Sequence, residues 1–304
     1  MLLLSGGTGT PKLLAGLRQL IPDEDITVIV NTAEDLWISG NLVCPDIDTV
    51  TYLFSGLLDM DKWWGVAGDT YHTHEALASA GHDEVLRLGD RDRATHILRS
   101  EYIRQGASLT EAVGRTARML GAQVAILPMC DEPVSSIITT DDGTMHFQDF
   151  WVGKRGRPEV LGIEYLGIEN TTVSDAVRKA VEQEDTILIG PSNPITSIGP
   201  ILAVKGMREL ICSKHVVAVS PIIGCEPVSG PAGKLMSACG CEVSSRGVAR
   251  FYEDLLDVFV VDERDGVGLR DVEGMGVAVV SADTMMTSAG KSKGLAEVVM
   301  SEMI

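Results

Sequence analysis

The sequence predicts an α/β fold with a mainly parallel, three-layer sheet, and three features lead there. Short runs rich in Leu, Ile and Val alternate with helical patterns through most of the 304 residues, as strands joined by crossover helices do. The first run, Met1–Leu4, feeds a glycine turn and then a helical pattern, the opening unit of a doubly wound sheet. Between residues 53 and 120 the strand-like runs vanish and helical spacing alone is left. A helical insertion, 53–120, therefore interrupts a core made of 1–52 and 121–304.

Met1–Leu4 reads as a buried strand and Ser5–Thr10 (SGGTGT) as the tight turn after it. Glycines let the backbone approach a ligand closely, and the helix that follows offers unpaired N–H groups to an anion. Pro11 begins that helix, because a missing N–H costs nothing in the first turn. Gly6, Gly7, Thr8, Gly9 and Thr10 are thus expected to cradle a phosphate. A dinucleotide fingerprint would put a third glycine at position 12 and an acidic residue after the second strand. Lys12 and Asn31 stand at those places, which argues against an ordinary NAD site. They fit a mononucleotide or sugar nucleotide, Lys12 facing phosphate and Asn31 offering hydrogen bonds.

The second strand is Ile26–Val30, and Asn31–Asp35 forms the loop at its carboxyl end, the edge where such sheets bind ligands. Asp46 and Asp48 follow Pro45. In an extended loop they would point to one side, whereas at a helix start Asp48 would be the N-cap. The insertion holds Trp63 and Trp64, His72 and His74, and an alternation of Arg87, Arg91 and Arg93 with Asp90 and Asp92. Two histidines at i and i+2 do not share a helix face, so they read as surface or structural groups rather than metal ligands. The arginines are either self-paired in solvent or turned to phosphate. Ser108–Glu111 is a capping box, and the whole insertion is expected to act as a lid.

Ala122–Leu127 returns to the sheet, and Val134–Thr140 with Met145–Trp151 reads as a hairpin. Lys154, Arg155 and Arg157 make a basic patch. Strands at Asp185–Gly190 and Val216–Ser220 lead into the loops Pro191–Pro200 and Pro221–Gly224. Val228–Met236 contains Gly233-Lys234 but fails the Walker pattern at Val228 and Leu235. Phe259–Val261 and Gly276–Val280 are late strands, Arg264-Asp265-Gly266 begins a turn, and Lys291–Glu302 is an amphipathic helix.

A net charge of -18 weighs against nucleic acid as a partner, since binding a phosphate backbone requires a basic face. No apolar run spans a bilayer, and Met1 enters the first strand directly, so a cytoplasmic protein without a membrane partner is expected. Six cysteines without CxxC spacing read as reduced and mostly buried. Oligomeric state is left open.

Four stretches, SGGTGTPKLL, NLVCPDIDTVTYLFSG, RLGDRDRATH and IGPSNPITSIGPIL, supported by VSGPAGKLM, together resemble the 2-phospho-L-lactate transferase family of deazaflavin coenzyme biosynthesis in methanogenic archaea. The resemblance runs from Met1 to about Asp262. It implies a Rossmann-like nucleotide binder that uses magnesium. The implied reaction moves a 2-phospholactyl group, or its enolpyruvyl analogue, from a guanosine diphosphate donor to the ribityl hydroxyl of 7,8-didemethyl-8-hydroxy-5-deazariboflavin, giving coenzyme F-420-0 and GMP. Deazaflavin contacts would map to Asp48 and Arg87, and the Gly6–Thr10 loop with Ser192 and Asn193 would face the guanosine diphosphate. Asp46 and Asp48 are then candidates for magnesium coordination or proton acceptance, with Lys12 and Arg87 neutralising phosphate charge. Trp37, Trp63 and Trp64 are candidates for stacking on the flat ring, with core packing as the alternative for each. A related bacterial family, whose members bind nucleotide sugars and regulate metabolism, is the competing reading. The Pro45-Asp46-Ile47-Asp48 segment with Arg87 favours the transferase.

Overall fold

The computed structural model describes residues 1–265 and 272–303; Gly266, in the turn expected after Arg264, lies outside them. Seven parallel strands form the central sheet: β1 (Leu2–Ser5), β2 (Thr27–Val30), β5 (Ala125–Pro128), β9 (Thr186–Ile189), β10 (His215–Val219), β13 (Val258–Asp262) and β14 (Ala278–Ala282). Their spatial order is β5-β2-β1-β9-β10-β13-β14. The chain thus builds outward from β1 in one direction, then returns to β1 and builds outward in the other. That reversal falls between β1 and β9, where Leu2, Leu3 and Leu4 pair with Ile187, Leu188 and Ile189. The crevice at a reversal, beyond the carboxyl ends of the strands, is where such sheets take ligands.

Alternation within the strands divides two cores. Leu2, Leu4, Ile187, Ile189, Val216 and Ala218 pack on one face, and Leu3, Leu188, Val217 and Val219 on the other. Both faces of a parallel sheet are covered by its crossover helices, which is why these runs are apolar throughout rather than alternating. The expected three-layer architecture is present. Helix α1 (Gly9–Leu17) starts two residues before Pro11, which sits in its first turn. It packs against the C-terminal helix Ala289–Glu302, and a Cβ at Gly16 would come 2.1 Å from Ser292 O, so only glycine permits the approach.

The ribbon β3 (Leu36–Ile38) and β4 (Asn41–Val43) precedes α2 (Pro45–Phe54). Three helices occupy the segment expected to be helical: α3 (His72–Ser79), α4 (Asp90–Arg104) and α5 (Leu109–Met119). The Ser108–Glu111 capping box is formed. The hairpin is β6 (Ser135–Thr140) with β7 (Gly143–His146), and β8 (Val160–Leu166) adds a third antiparallel strand. Its second arm ends at His146, and Trp151 instead lies in a π-helical turn, Asp149–Gly153. Only Cys44 and Cys130 of the six free cysteines are buried, which corrects the expectation of mostly buried thiols. The others sit in turns and at helix ends where little packs over them. Among the described residues no helix is long and apolar enough to cross a membrane.

Candidate active site

The turn after β1 and the loop after β9 meet at the sheet reversal because their strands are neighbours. Ser192 Oγ accepts hydrogen bonds from Gly6 N at 3.0 Å and Thr10 N at 3.4 Å and lies 2.7 Å from Thr10 Oγ1. A Cβ at Gly9 would fall 1.8 Å from Pro191 O, and one at Gly7 would fall 2.2 Å from Asp46 Oδ1. The glycines are thus required by close approach of three chain segments, not by backbone torsion. Asn193 caps the π-helical turn Pro194–Ile198, its Oδ1 accepting from Ile195 N at 2.9 Å. Gly7, Thr8, Gly9, Lys12, Ser192 and Asn193 line a cavity of about 580 Å³, and Gly6 and Thr10 stand behind that wall, holding the turn.

Asp46 and Asp48 share the first turns of α2 but face different surroundings, because residues two apart on a helix point about 200° apart. The N-cap is Cys44, not Asp48. Pro45 takes N1, which sets Asp48 far enough into the helix for its Oδ2 to accept from Cys44 N at 3.3 Å. Asp48 receives Arg99 Nη1 at 2.5 Å and Nη2 at 3.1 Å, and His96 Nε2 lies 3.1 Å from its Oδ2. The same His96 nitrogen lies 3.1 Å from Asp92 Oδ1, which Tyr52 also bonds at 2.7 Å. Burial alone would raise Asp48, but Arg99 and His96 outweigh it and hold the carboxyl well below the usual range. Burial likewise opposes a charged His96, yet its bonds to Asp48 and Asp92 push it up to about 9. Two carboxylates and two cations neutralise one another here.

The other carboxylate pair is different. Asp46 Oδ2 accepts from Asn31 Nδ2 at 2.9 Å, and neither Asp46 nor Glu34, both buried at the cavity wall, has a cationic partner among the described residues. Burial first, and then the Asp46 charge, pushes Glu34 well above the carboxylate range; burial pushes Asp46 up to about 7, against the Asn31 bond. Asn31 itself is fully buried behind the wall.

Residues between 62 and 96 complete the cavity. Arg87 reaches it with its guanidinium 3.9 Å over the Tyr71 ring, while Arg93 is spent on an ion pair with Glu84. Trp63 and Trp64 line it, Trp63 in the left-handed backbone region at φ 61° with Lys12 Nζ 5.4 Å from its ring centre. Burial lowers the Lys12 pKa. Trp37, by contrast, is 56% exposed on β3 and outside the cavity, and Trp151 takes a place in the wall. Lys234 turns away, donating to Gly156 O at 2.7 Å and to Arg157 O at 3.2 Å.

Residues 1–298 match the family model described as 2-phospho-L-lactate transferase CofD. The chain belongs to this family. The 2-phospho-L-lactate transferase of Methanosarcina mazei is 59% identical over 300 residues, 99% of each chain. Those of Methanococcoides burtonii and Methanopyrus kandleri are 54% and 46% identical, covering 99% and 98% of this chain and 98% and 95% of their own. A solved structure from the UPF0052 family of Bacillus halodurans superposes with a TM-score of 0.69 over 98% of this chain and 97% of its own, at 16% identity. That likeness speaks to the fold alone. The protein is therefore a transferase, a member of a coenzyme F-420 biosynthesis family whose relatives here come from methanogenic archaea.

In this transferase Glu34, Asp92, His96 and Trp151 line the cavity and Arg99 grips Asp48, and none of the five was among the candidates drawn from the sequence. Asp92, His96 and Arg99 lie at i, i+4 and i+7 on α4, a polar stripe at the period of a buried helix face. That periodicity was the available signal, masked by the exposed charges interleaved with it. Glu34 sits three residues after Asn31 in the loop already placed at the ligand edge. Nothing in the sequence marks Trp151.

Proposed function

We propose that the enzyme transfers the 2-phospholactyl group, or its enolpyruvyl analogue, from a guanosine diphosphate donor to the ribityl hydroxyl of 7,8-didemethyl-8-hydroxy-5-deazariboflavin, forming coenzyme F-420-0 and releasing GMP. One observation carries this reading. A single cavity joins a backbone phosphate cradle, two differently tuned carboxylate pairs and an aromatic wall. The hydroxyl oxygen bonds to the phosphorus that bears lactate, the bond from that phosphorus to GMP breaks, and the hydroxyl proton passes by way of the Asp48 carboxylate to the departing GMP phosphate or to water.

Such a transfer is mostly positioning and neutralisation of charge. Gly7, Thr8 and Gly9 offer the loop's backbone to the diphosphate, with Lys12 beside them and Ser192 and Asn193 in the adjoining loop that packs on the turn. Asp48, pinned by Arg99 and His96, receives the deazaflavin hydroxyl with Arg87 at the rim. Trp63, Trp64 and Trp151 supply flat surface for the ring. Residues 53–120 serve as the lid, since Trp63, Trp64, Arg87, Asp92 and His96 all come from them.

Magnesium fits one carboxylate pair better than the other. Asp48, Asp92 and His96 place three ligand atoms within 4.8 Å of one another, but Arg99 and His96 already neutralise that group, and Mg²⁺ prefers oxygen to imidazole. Glu34 and Asp46 have no cationic partner among the described residues, and Asp46 Oδ1 abuts the glycine turn. We assign the ion to Asp46 and Glu34, where it would screen the diphosphate oxygens from these carboxylates. The test is direct: protein, guanosine donor, deazaflavin and Mg²⁺ are incubated and analysed by mass spectrometry. GMP together with a deazaflavin heavier by one phospholactyl group supports the reading. Binding of nucleotide without GMP release refutes it and favours a regulatory nucleotide binder. The enzyme is expected to work in the cytoplasm.

A further inference from the structure

Asn31 directly follows β2, and its backbone extends the sheet ladder by donating to Ser5 O at 3.0 Å. Its side chain is fully buried and both ends of the amide are used. Oδ1 accepts from Ala33 N at 3.0 Å, and Nδ2 donates to Asp46 Oδ2 at 2.9 Å. The orientation is dictated, not chosen: the Ala33 N–H can only donate, so the amide oxygen must face it and the NH₂ must face Asp46. On the opposite side, Asp46 Oδ1 occupies space that a Gly7 side chain would need. One carboxylate oxygen is gripped from below by Asn31, and the other is held against the glycine turn at the cavity wall.

We propose that Asn31 is a positioning residue that fixes the Asp46 carboxylate for the cation and the diphosphate, without touching either. This rests on the transfer reaction and the cation assignment above. It also gives a reason for Asn where a dinucleotide fold has an acidic residue. A carboxylate at this place would confront Asp46 and Glu34 with a third negative charge in a buried site, whereas the amide is neutral and supplies a donor. Groups that orient a metal-binding carboxylate typically change metal affinity or activity by about 10–100-fold when removed.

The experiment measures GDP affinity by calorimetry, with Mn²⁺ and with EDTA, for wild type, Asn31→Ala and Asn31→Asp, alongside GMP release. Asn31→Asp keeps the side-chain shape and the bond from Ala33 N and changes only what faces Asp46, so it serves if the alanine variant folds poorly. In the wild type Mn²⁺ should tighten GDP binding. In both variants that tightening should shrink about tenfold or more and kcat should fall about 10–100-fold, and in Asn31→Ala, which adds no charge, affinity in EDTA should stay within about twofold. A merely structural Asn31 would shift both affinities together. The proposal is overturned if both variants retain the full Mn²⁺ effect while the wild type turns over. A wild type whose GDP affinity ignores Mn²⁺ overturns the cation assignment, and this proposal with it.

Discussion

Replacing Gly7 by alanine tests how tightly the cradle is built. Gly7 does not occupy the left-handed region, so alanine adds no backbone strain and the whole effect is steric. Its Cβ would lie 2.2 Å from Asp46 Oδ1, 3.1 Å from Asp46 Cγ and 3.3 Å from Asp46 Cα. Real Cβ contacts stay beyond 3.0 Å, so the turn and the carboxylate must separate by about 0.8 Å or more. Asp46 cannot swing freely, because Asn31 holds its other oxygen and α2 holds its backbone. A misplacement of about 1 Å at a reacting site costs about 100-fold in rate, or ~2.7 kcal/mol of barrier. Steady-state GMP release should therefore fall about 100-fold in Gly7→Ala. Gly40→Ala is the control: its φ of +78° is costly for alanine, but no atom lies within 4 Å. It should lose about 1–2 kcal/mol of stability and keep full activity. Gly7→Ala turnover within threefold of wild type would refute the reasoning.

Other outcomes follow from the two carboxylate environments. Asp48→Asn leaves the buried Arg99 and His96 charges short of a partner, so chemical denaturation should show a loss of about 3–5 kcal/mol; turnover should collapse while GDP affinity stays within about threefold. The His96 pKa rises on folding from 6.5 to about 9, and at ~1.36 kcal/mol per unit the contribution is on the order of 3 kcal/mol. Because the folded value is raised, this stability is complete below pH 6.5 and is lost as pH climbs through 9; denaturation of His96→Gln should lack that slope. Trp37→Ala should leave deazaflavin binding unchanged, whereas Trp64→Ala and Trp151→Ala should each weaken it by about 1 kcal/mol, roughly fivefold, as read by fluorescence titration.

What was legible in the sequence was local. The SGGTGT turn, the capping box at Ser108 and the apolar strands each announce themselves within a few residues, because close approach, capping and burial select residue types there. The strand order was not legible, and with it went the partnership of Ser192 with Gly6, which are 186 positions apart and meet only because β9 lies beside β1. The charge alternation at Arg87–Arg93 misled for a related reason. Its exposed and buried members are sorted only once α4 presents one face to Asp48, so Asp92 and Arg93 turn inward while Arg91 remains at the surface. Trp37 and Trp64 are indistinguishable by type. Their difference is set by β3 and by the turn at Asp59–Gly65, neither of which has a strong propensity signal.

A protein with a net charge of -18 that, in the proposed reaction, takes a diphosphate into a cavity with four buried carboxylates faces a severe electrostatic problem. The fold answers it asymmetrically. On the Asp48 side both carboxylates are matched by Arg99 and His96, so the group is neutral, fixed in place and able to meet an uncharged hydroxyl without drawing in an ion. On the Asp46 side no side-chain cation is paired with either carboxyl among the described residues, and the two resist ionising together. A divalent ion arriving with the diphosphate would relieve both the carboxylates and the phosphates, so each would make the other's binding more favourable. In the proposed reaction this coupling makes the empty enzyme a poor metal binder and a poor nucleotide binder separately. Nucleotide with Mg²⁺ should therefore bind far more tightly than the product of the two separate affinities, whereas Asp46→Asn should weaken that coupling and improve nucleotide binding in EDTA. Isothermal titration of GDP with and without Mg²⁺ against both proteins measures the difference, and additive affinities in the wild type would remove the basis for assigning the ion to this pair.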